Sequence, residues 1–192
     1  MGTEPEKAAA AVTVVYRASH RHDVFVSLTI EERAAAGKHG STMYLSSQAR
    51  GLHDKRPGVR NGVTGERVQR LGSIAERAVA KALGIEWTAW SDTFKAADLH
   101  FNIEVRLIGV DHYGLRVYDR DHDSRRVVGI VIERGSEHLP YRIPGWINAV
   151  HAKRREWRID PHDLGQPVYA VPQDRLHPLA LLRLFIQEEA RP

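Results

Sequence analysis

The stretch Asp98-Leu99-His100-Phe101-Asn102-Ile103-Glu104-Val105-Arg106 constrains the fold more than any other part of the chain. Ile103, Val105 and Leu107 alternate with Glu104 and Arg106. Side chains alternate faces along a strand, so the pattern predicts a strand with Glu104 and Arg106 on its polar face. Asp98 precedes Glu104 by six residues. In one continuous strand the two carboxylates would stand about 20 Å apart at ~3.3 Å per residue. A tight turn at His100-Phe101-Asn102, where Asn suits a turn position, instead folds the chain back and sets Asp98 opposite Glu104. Cross-strand neighbours lie roughly 5 Å apart at Cβ, near enough for two carboxylates to hold one hard cation such as Mg²⁺. Taken alone, Glu104-x-Arg106 is better read as a solvated strand face with a weak ion pair.

The surrounding elements give that strand a context. Val68, Leu71, Ala75, Val79, Ala82 and Leu83 recur at helical spacing and Gly84 follows, which predicts a helix over Thr64 to Leu83. Glu76 lies in its middle among small residues that permit close approach to a sheet; without context it is a solvent-facing carboxylate. A Trp-containing link, Ile85 to Phe94, leads to the Asp98 and Glu104 strands. A Leu115-Arg116-Val117-Tyr118 strand and the apolar run Val127 to Ile132 follow.

Helix, strand, strand, strand, with acids at these places, resembles the PD-(D/E)XK nuclease superfamily, and within it the small phage and prophage proteins. The carrying residues are Gly72-Ser73-Ile74-Ala75-Glu76, Ala82-Leu83-Gly84-Ile85-Glu86-Trp87, Ala97-Asp98-Leu99, Ile103-Glu104-Val105-Arg106 and Pro144-Gly145-Trp146-Ile147. Leu28-Thr29-Ile30-Glu31-Glu32 and Tyr169-Ala170-Val171-Pro172 also fit the phage-type pattern. The resemblance spans roughly residues 25–180, and its order and spacing are more specific than any single short motif. It implies an α/β (α+β) fold with a restriction-endonuclease-like core: a mixed central β-sheet flanked by helices, with an N-terminal elaboration. Residues 1–62 would form that elaboration and residues 63–192 the core of a single domain overall.

Residue by residue, the resemblance implies Asp98 and Glu104 as ligands of Mg²⁺ or Mn²⁺, and Glu76 as the helix acid for a further ligand or water contact. Arg106 falls where the superfamily has Lys. A lysine's pKa shifts readily, so it can help stabilise hydroxide, whereas arginine stays charged and cannot serve as a base. Arginine still braces a phosphate or the charge developing in the transition state. Lys95, three residues before Asp98, is the nearest lysine that would supply a displaced ammonium; its plainer reading is a surface residue. The implied activity is metal-assisted hydrolysis of phosphodiester bonds, DNA being the expected substrate. A catalytically silent relative that binds nucleic acid, or a phage structural or interaction protein on the same scaffold, remains open, because fold does not fix function.

Composition is compatible with this reading without requiring it. At 192 residues and 42% hydrophobic, the chain suffices for one domain with a substantial core. The net charge of +4 permits nucleic-acid binding, and its distribution says more. Arg50, Lys55, Arg56, Arg60, Arg67 and Arg70 cluster along a Gly-punctuated loop, read as Ser46 to Gly62, and into the main helix. Lys153, Arg154, Arg155 and Arg158 surround Trp157. Both clusters suit a phosphate backbone, the alternative being a solvated surface. From these clusters Arg56, Arg60, Arg67, Arg70, Lys153, Arg154 and Arg155 are expected nucleic-acid contacts, together with Lys95. There are no cysteines, so no disulfide or thiolate metal site forms. No apolar run approaches the ~20 residues of a membrane span, and the N-terminus is a poor signal peptide. These features suggest a cytoplasmic protein, and the resemblance implies a phage-infected or prophage-carrying bacterial host. A homodimer would suit a double-strand cutter, and a phage or host protein is the partner implied by a non-catalytic role.

Elsewhere, Val12 to Arg17 and Val24 to Leu28 are expected as strands. A helix capped by Thr29 with Glu32 three later is expected to stop at Gly37. Tyr141-Arg142-Ile143 is expected to be extended, with Pro144-Gly145 bending the chain. Val168 to Val171 is the last expected strand, and Pro178 to Glu189 a closing helix with Leu179, Leu182, Phe185 and Ile186 on one face. Among eleven histidines, His20-Arg21-His22-Asp23 and Asp121-His122-Asp123 lack tight zinc spacing and are read as solvated polar loops. His100, at the turn beside the acids, either touches substrate or hydrogen-bonds locally. Asp119 and Asp121 are either peripheral acids or, preferably, part of a hairpin loop.

Overall fold

The computed structural model describes residues 22–51, 65–88, 97–109, 113–132, 140–160 and 167–191. The expected strand Val12 to Arg17 lies outside them, as do His20, Lys55, Arg56, Arg60 and Lys95. In chain order the elements are β1 (Val24–Val26), α1 (Ile30–Ala49), α2 (Gly65–Leu83), β2 (Ile103–Ile108), β3 (Leu115–Tyr118), β4 (Arg126–Val131), β5 (Tyr141–Asn148), α3 (Ala149–Ala152), β6 (Arg158–Ile159), β7 (Val168–Val171) and α4 (Leu179–Glu189).

The strands form two sheets. The first is mixed, in the order β1-β5-β4-β2, with β2 parallel to β4 and the other pairs antiparallel. The second is antiparallel, in the order β3-β7-β6. Among the described residues, the two faces of the central sheet are covered differently, one by α2 and α4 and the other by the second sheet with the short α3. Ile74, Ala78 and Val79 of α2 and Leu179, Leu182 and Ile186 of α4 pack with Val128 and Ile130 of β4. On the other face, Leu115, Val117 and Val171 of the second sheet, with Ala149 and Ala152 of α3, pack against Val127 and Val131. The two-sided cover explains why β4 reads as a continuous apolar run rather than an alternating one.

Local chemistry accounts for where the elements start and stop. Thr29 Oγ1 accepts from Glu32 N–H (3.1 Å) and Thr29 N–H donates to Glu32 Oε2 (2.8 Å), closing a capping box on α1. α1 does not end at Gly37 but continues to Ala49, so Ser46 to Ala49 are helical rather than loop. Its glycines serve helix packing instead: a Cβ at Gly40 would stand 2.6 Å from the Gln69 carbonyl oxygen and 2.7 Å from Arg70 Cα of α2. Gly84, at φ +72, does end α2 as expected.

Pro144-Gly145 lies inside β5, which continues through it with a local irregularity. The β4–β5 register shifts between Gly129 and Val131, opposite this dipeptide, where a proline without an N–H is tolerated. Gly145 is at φ +147, and a side chain there would run into the His177 carbonyl. Phe185 does not join the buried face of α4: it is 44% exposed and sets its edge against Trp146. Asp23 is not in a solvated loop but buried, its Oδ2 3.1 Å from Arg142 Nη1.

Candidate active site

Among the described residues, β2 and β3 are each the last strand of their sheet, and the candidate site lies where these two edges face one another. Asp98 sits not on a regular strand but in the approach to a reversal with a single bridge, Leu99 to Ile103. Phe101 (φ 61) and Asn102 (φ 56) both adopt the left-handed conformation that the reversal needs. Asn accepts this readily; Phe does so at a cost of about 1 kcal/mol. The Asn102 amide holds the turn by donating to Ser124 O (3.0 Å) and Ser124 Oγ (2.8 Å). Leu99 N–H donates to Ile103 O (3.0 Å), so the next residues outward, Asp98 and Glu104, come opposite one another. Asp98 Oδ2 accepts from Val105 N–H (2.7 Å) on the edge of β2.

Glu104 and Arg106 share the polar face of β2 and contact each other, Arg106 Nη2 donating to Glu104 Oε1 at 3.0 Å. The other Glu104 oxygen accepts from Arg125 Nη1 (2.8 Å), which enters from just before β4, the parallel neighbour of β2. Arg106 also crosses to the second sheet. Its Nη2 lies 2.8 Å from Asp121 Oδ1, its Nη1 donates to Arg116 O (3.4 Å), and its guanidinium lies over the Tyr118 ring, 4.4 Å from the centroid. Asp121 Oδ2 in turn accepts from Tyr118 N–H (2.8 Å).

Glu76 reaches this cluster from α2, where Ala75, Ala78, Val79 and Ala80 are buried. Burial pushes its carboxyl up to about 8, helped by the charges of Asp98 and Glu104 and partly offset by the Trp87 indole donor. Asp98 is pushed up to about 6 by burial and then by Glu104; the Val105 N–H, Arg106 and Arg125 oppose the rise. A helix, a turn and a strand therefore bring together three acids, two of which the surroundings leave poorly compensated.

This arrangement is not a closed metal cage. Among the described residues, no three or more His, Asp or Glu side chains are grouped so as to hold a metal ion. Both oxygens of Glu104 are engaged by arginines. The donor chemistry nevertheless fits a hard divalent cation, because Asp98 and Glu104 offer carboxylate oxygens and the desolvated charge of Asp98 and Glu76 is what such a cation would relieve.

The remaining expected residues are dispersed. Arg67 and Arg70 are exposed near the start of α2. Lys153 belongs to the site's frame: its Nζ donates to Asp121 O and to Asp123 Oδ1, both at 2.7 Å. Arg154 is exposed and lies over Trp157, 4.9 Å from the ring centroid, and Arg155 is exposed beside it. His100 is exposed, its Nε2 3.4 Å from Thr88 Oγ1. Sequence reasoning missed Arg125 and Tyr118 and read Asp121 as part of a hairpin loop. Pairing β2 in parallel with β4 would have pointed to Arg125, since the residues just before β4 then flank Glu104.

Comparison with protein-family models, curated proteins and solved structures finds no match.

Proposed function

We propose that this chain is a metal-dependent nuclease of the PD-(D/E)XK kind, with a restriction-endonuclease-like core, hydrolysing phosphodiester bonds with DNA as its substrate. The observation that carries this reading is the gathering of Glu76, Asp98 and Glu104 beside Arg106, with Glu76 and Asp98 held above the usual carboxylate range. Such strongly perturbed acids concentrate at functional sites. Asp98 and Glu104 would hold Mg²⁺ or Mn²⁺, with Glu76 as the further acid. When bound, the cation supplies charge that polarises the scissile phosphate and acidifies water. Without a cation Glu76 stays protonated near neutral pH; the charge of a bound cation would draw it to the carboxylate, which accepts a proton. Arg106 neutralises phosphate charge; it takes no proton, so the base is not this residue. The same reading carries a phage or prophage origin and action in the host cytoplasm.

A second reading has one observation in its favour. Arg106 and Arg125 occupy both oxygens of Glu104, which suits a scaffold that binds nucleic acid or a protein and does not catalyse. Plasmid, linear single-stranded DNA and RNA incubated with Mg²⁺ or Mn²⁺, wild type beside Glu104→Ala, separate the two. Metal-dependent cutting lost in the variant establishes the nuclease. No cutting by wild type, with no heat of metal binding on titration, establishes the silent scaffold.

A further inference from the structure

From the Arg106–Tyr118 contact we infer that the outward face of β3 is a docking track for an unpaired nucleic-acid strand, with Arg116 and Arg120 as its phosphate contacts and the Tyr118–Arg120 pair as its stacking platform. The inference rests on the nuclease reading only for its direction: the track leads away from Arg106.

β3 buries Leu115 and Val117, so Arg116 and Tyr118 share the opposite face. Two guanidinium groups lie against the Tyr118 ring, that of Arg106 at 4.4 Å and that of Arg120 at 4.9 Å from the centroid. The two differ in their charge balance. Arg106 is neutralised by Glu104 and Asp121 and is well buried. Arg120 is exposed, and the Tyr118 ring is its one side-chain partner among the described residues. Arg116 is exposed too, and no carboxylate among the described residues pairs with it. Arg116 and Arg120 thus lie on one short segment with no carboxylate partner among the described residues, next to a third arginine whose charge is balanced, while the intervening Asp119 carboxylate accepts from the Tyr169 hydroxyl (2.8 Å).

The chemistry of this segment selects its ligand. Free guanidinium groups bind phosphates by paired N–H donors. A guanidinium already laid on an aromatic ring is a flat, oriented surface on which an unpaired base stacks without regard to sequence. Bases inside a duplex present no free face, so this combination favours a single strand over a double one. Asp121 fixes the platform in place, since its two oxygens hold both the Tyr118 N–H and Arg106.

Fluorescence anisotropy tests this with labelled single-stranded and duplex oligonucleotides of roughly 20 nucleotides, in EDTA so that no cutting intervenes. Arg116→Ala/Arg120→Ala, two exposed replacements, is expected to weaken single-strand binding about tenfold and to flatten its salt dependence by about 1.4 in log–log slope. Duplex binding should fall less. Arg120→Lys keeps the charge but not the flat surface and should restore only part of the loss. Unchanged single-strand binding in the double variant overturns the inference, as does an equal loss on duplex or an absence of nucleic-acid binding by wild type. The nuclease reading fails separately. Variant-sensitive binding by a wild type that does not cut keeps the track and removes the catalysis. Cutting by wild type with binding insensitive to both arginines keeps the catalysis and removes the track.

Discussion

Replacing Glu76 with Gln should make the metal-free protein more stable at alkaline pH, and the size of the effect follows from its surroundings. The fold raises this carboxyl from 4.5 to about 8, chiefly by burial and then by the Asp98 charge. Below pH 4.5 the group is protonated whether the chain is folded or not, and contributes nothing. Between these two values the folded chain keeps a proton that the unfolded chain has lost, so unfolding becomes easier by about 1.4 kcal/mol for each pH unit. Above about 8 the loss levels off, at roughly 5 kcal/mol in all. Asp98 acts with the same sign, but its raised value of about 6 confines its effect to lower pH.

The range from about pH 6.5 to 8 therefore isolates Glu76. Urea unfolding in EDTA should show the wild type losing about 2 kcal/mol across that range, or roughly 1 M in midpoint at a slope of ~2 kcal/mol/M. Glu76→Gln should change little over the same interval, because the amide keeps the shape and removes the titration. EDTA matters because a bound cation would lower the carboxyl and flatten the wild-type curve. Parallel wild-type and variant curves between about pH 6.5 and 8 would refute the argument that burial and Asp98 hold Glu76 protonated.

Two structural predictions follow from close contacts elsewhere. Gly40→Ala places a methyl 2.6 Å from the Gln69 carbonyl oxygen and should cost about 2 kcal/mol in urea unfolding by prising α1 from α2; Gly37→Ala, whose nearest neighbour is the Arg70 side chain at 3.6 Å, should cost little. Asp23→Ala removes the buried carboxylate that faces Arg142 and should lower stability by about 3 kcal/mol, whereas Asp23→Asn, which keeps a hydrogen-bond acceptor, should lose less.

The parts of this molecule that its sequence discloses are those governed by local chemistry. Thr29 with Glu32 announces the start of α1 because a capping box involves only neighbouring residues. The reversal at residues 100–102 is legible for the same reason, and with it the meeting of Asp98 and Glu104. Gly37 misleads because α1 runs through it to Ala49, and the demands on Gly40 and Gly145 are tertiary. Gly40 and Gly37 lie where a second helix comes close, and Gly145 lies where the residue 176–177 segment crosses β5. The central sheet was expected between helices, yet one of its faces is covered by the β3-β7-β6 sheet. Nothing within Leu115-Arg116-Val117-Tyr118 distinguishes pairing with β7 from pairing with the Glu104 strand. Arg125 stayed hidden because it reaches Glu104 only through the pairing of β2 with β4, and Asp121 because it reaches Arg106 only where the edges of the two sheets face one another.

The charge balance at the sheet junction gives the arginine at position 106 a physical meaning. Glu76, Asp98, Glu104 and Asp121 supply four carboxyl groups, against which Arg106 and Arg125 supply two permanent positive charges. Lys153 is directed to Asp123 and the Asp121 backbone, outside this balance. Fully ionised, the cluster would carry two uncompensated negative charges in a partly desolvated space, a large electrostatic cost. The protein without metal meets that cost by retaining protons on Glu76 and, in part, on Asp98. A divalent cation matches the same deficit and would let both protons leave, so its affinity should rise with pH through the range in which those carboxyls titrate. Arginine suits this balance better than lysine does, because its fork bridges Glu104, Asp121 and the Arg116 carbonyl at once while lying on Tyr118. Arg106→Lys would keep the count of charges but lose that bridge, separating the part of its role that is electrostatic from the part that joins the two sheets.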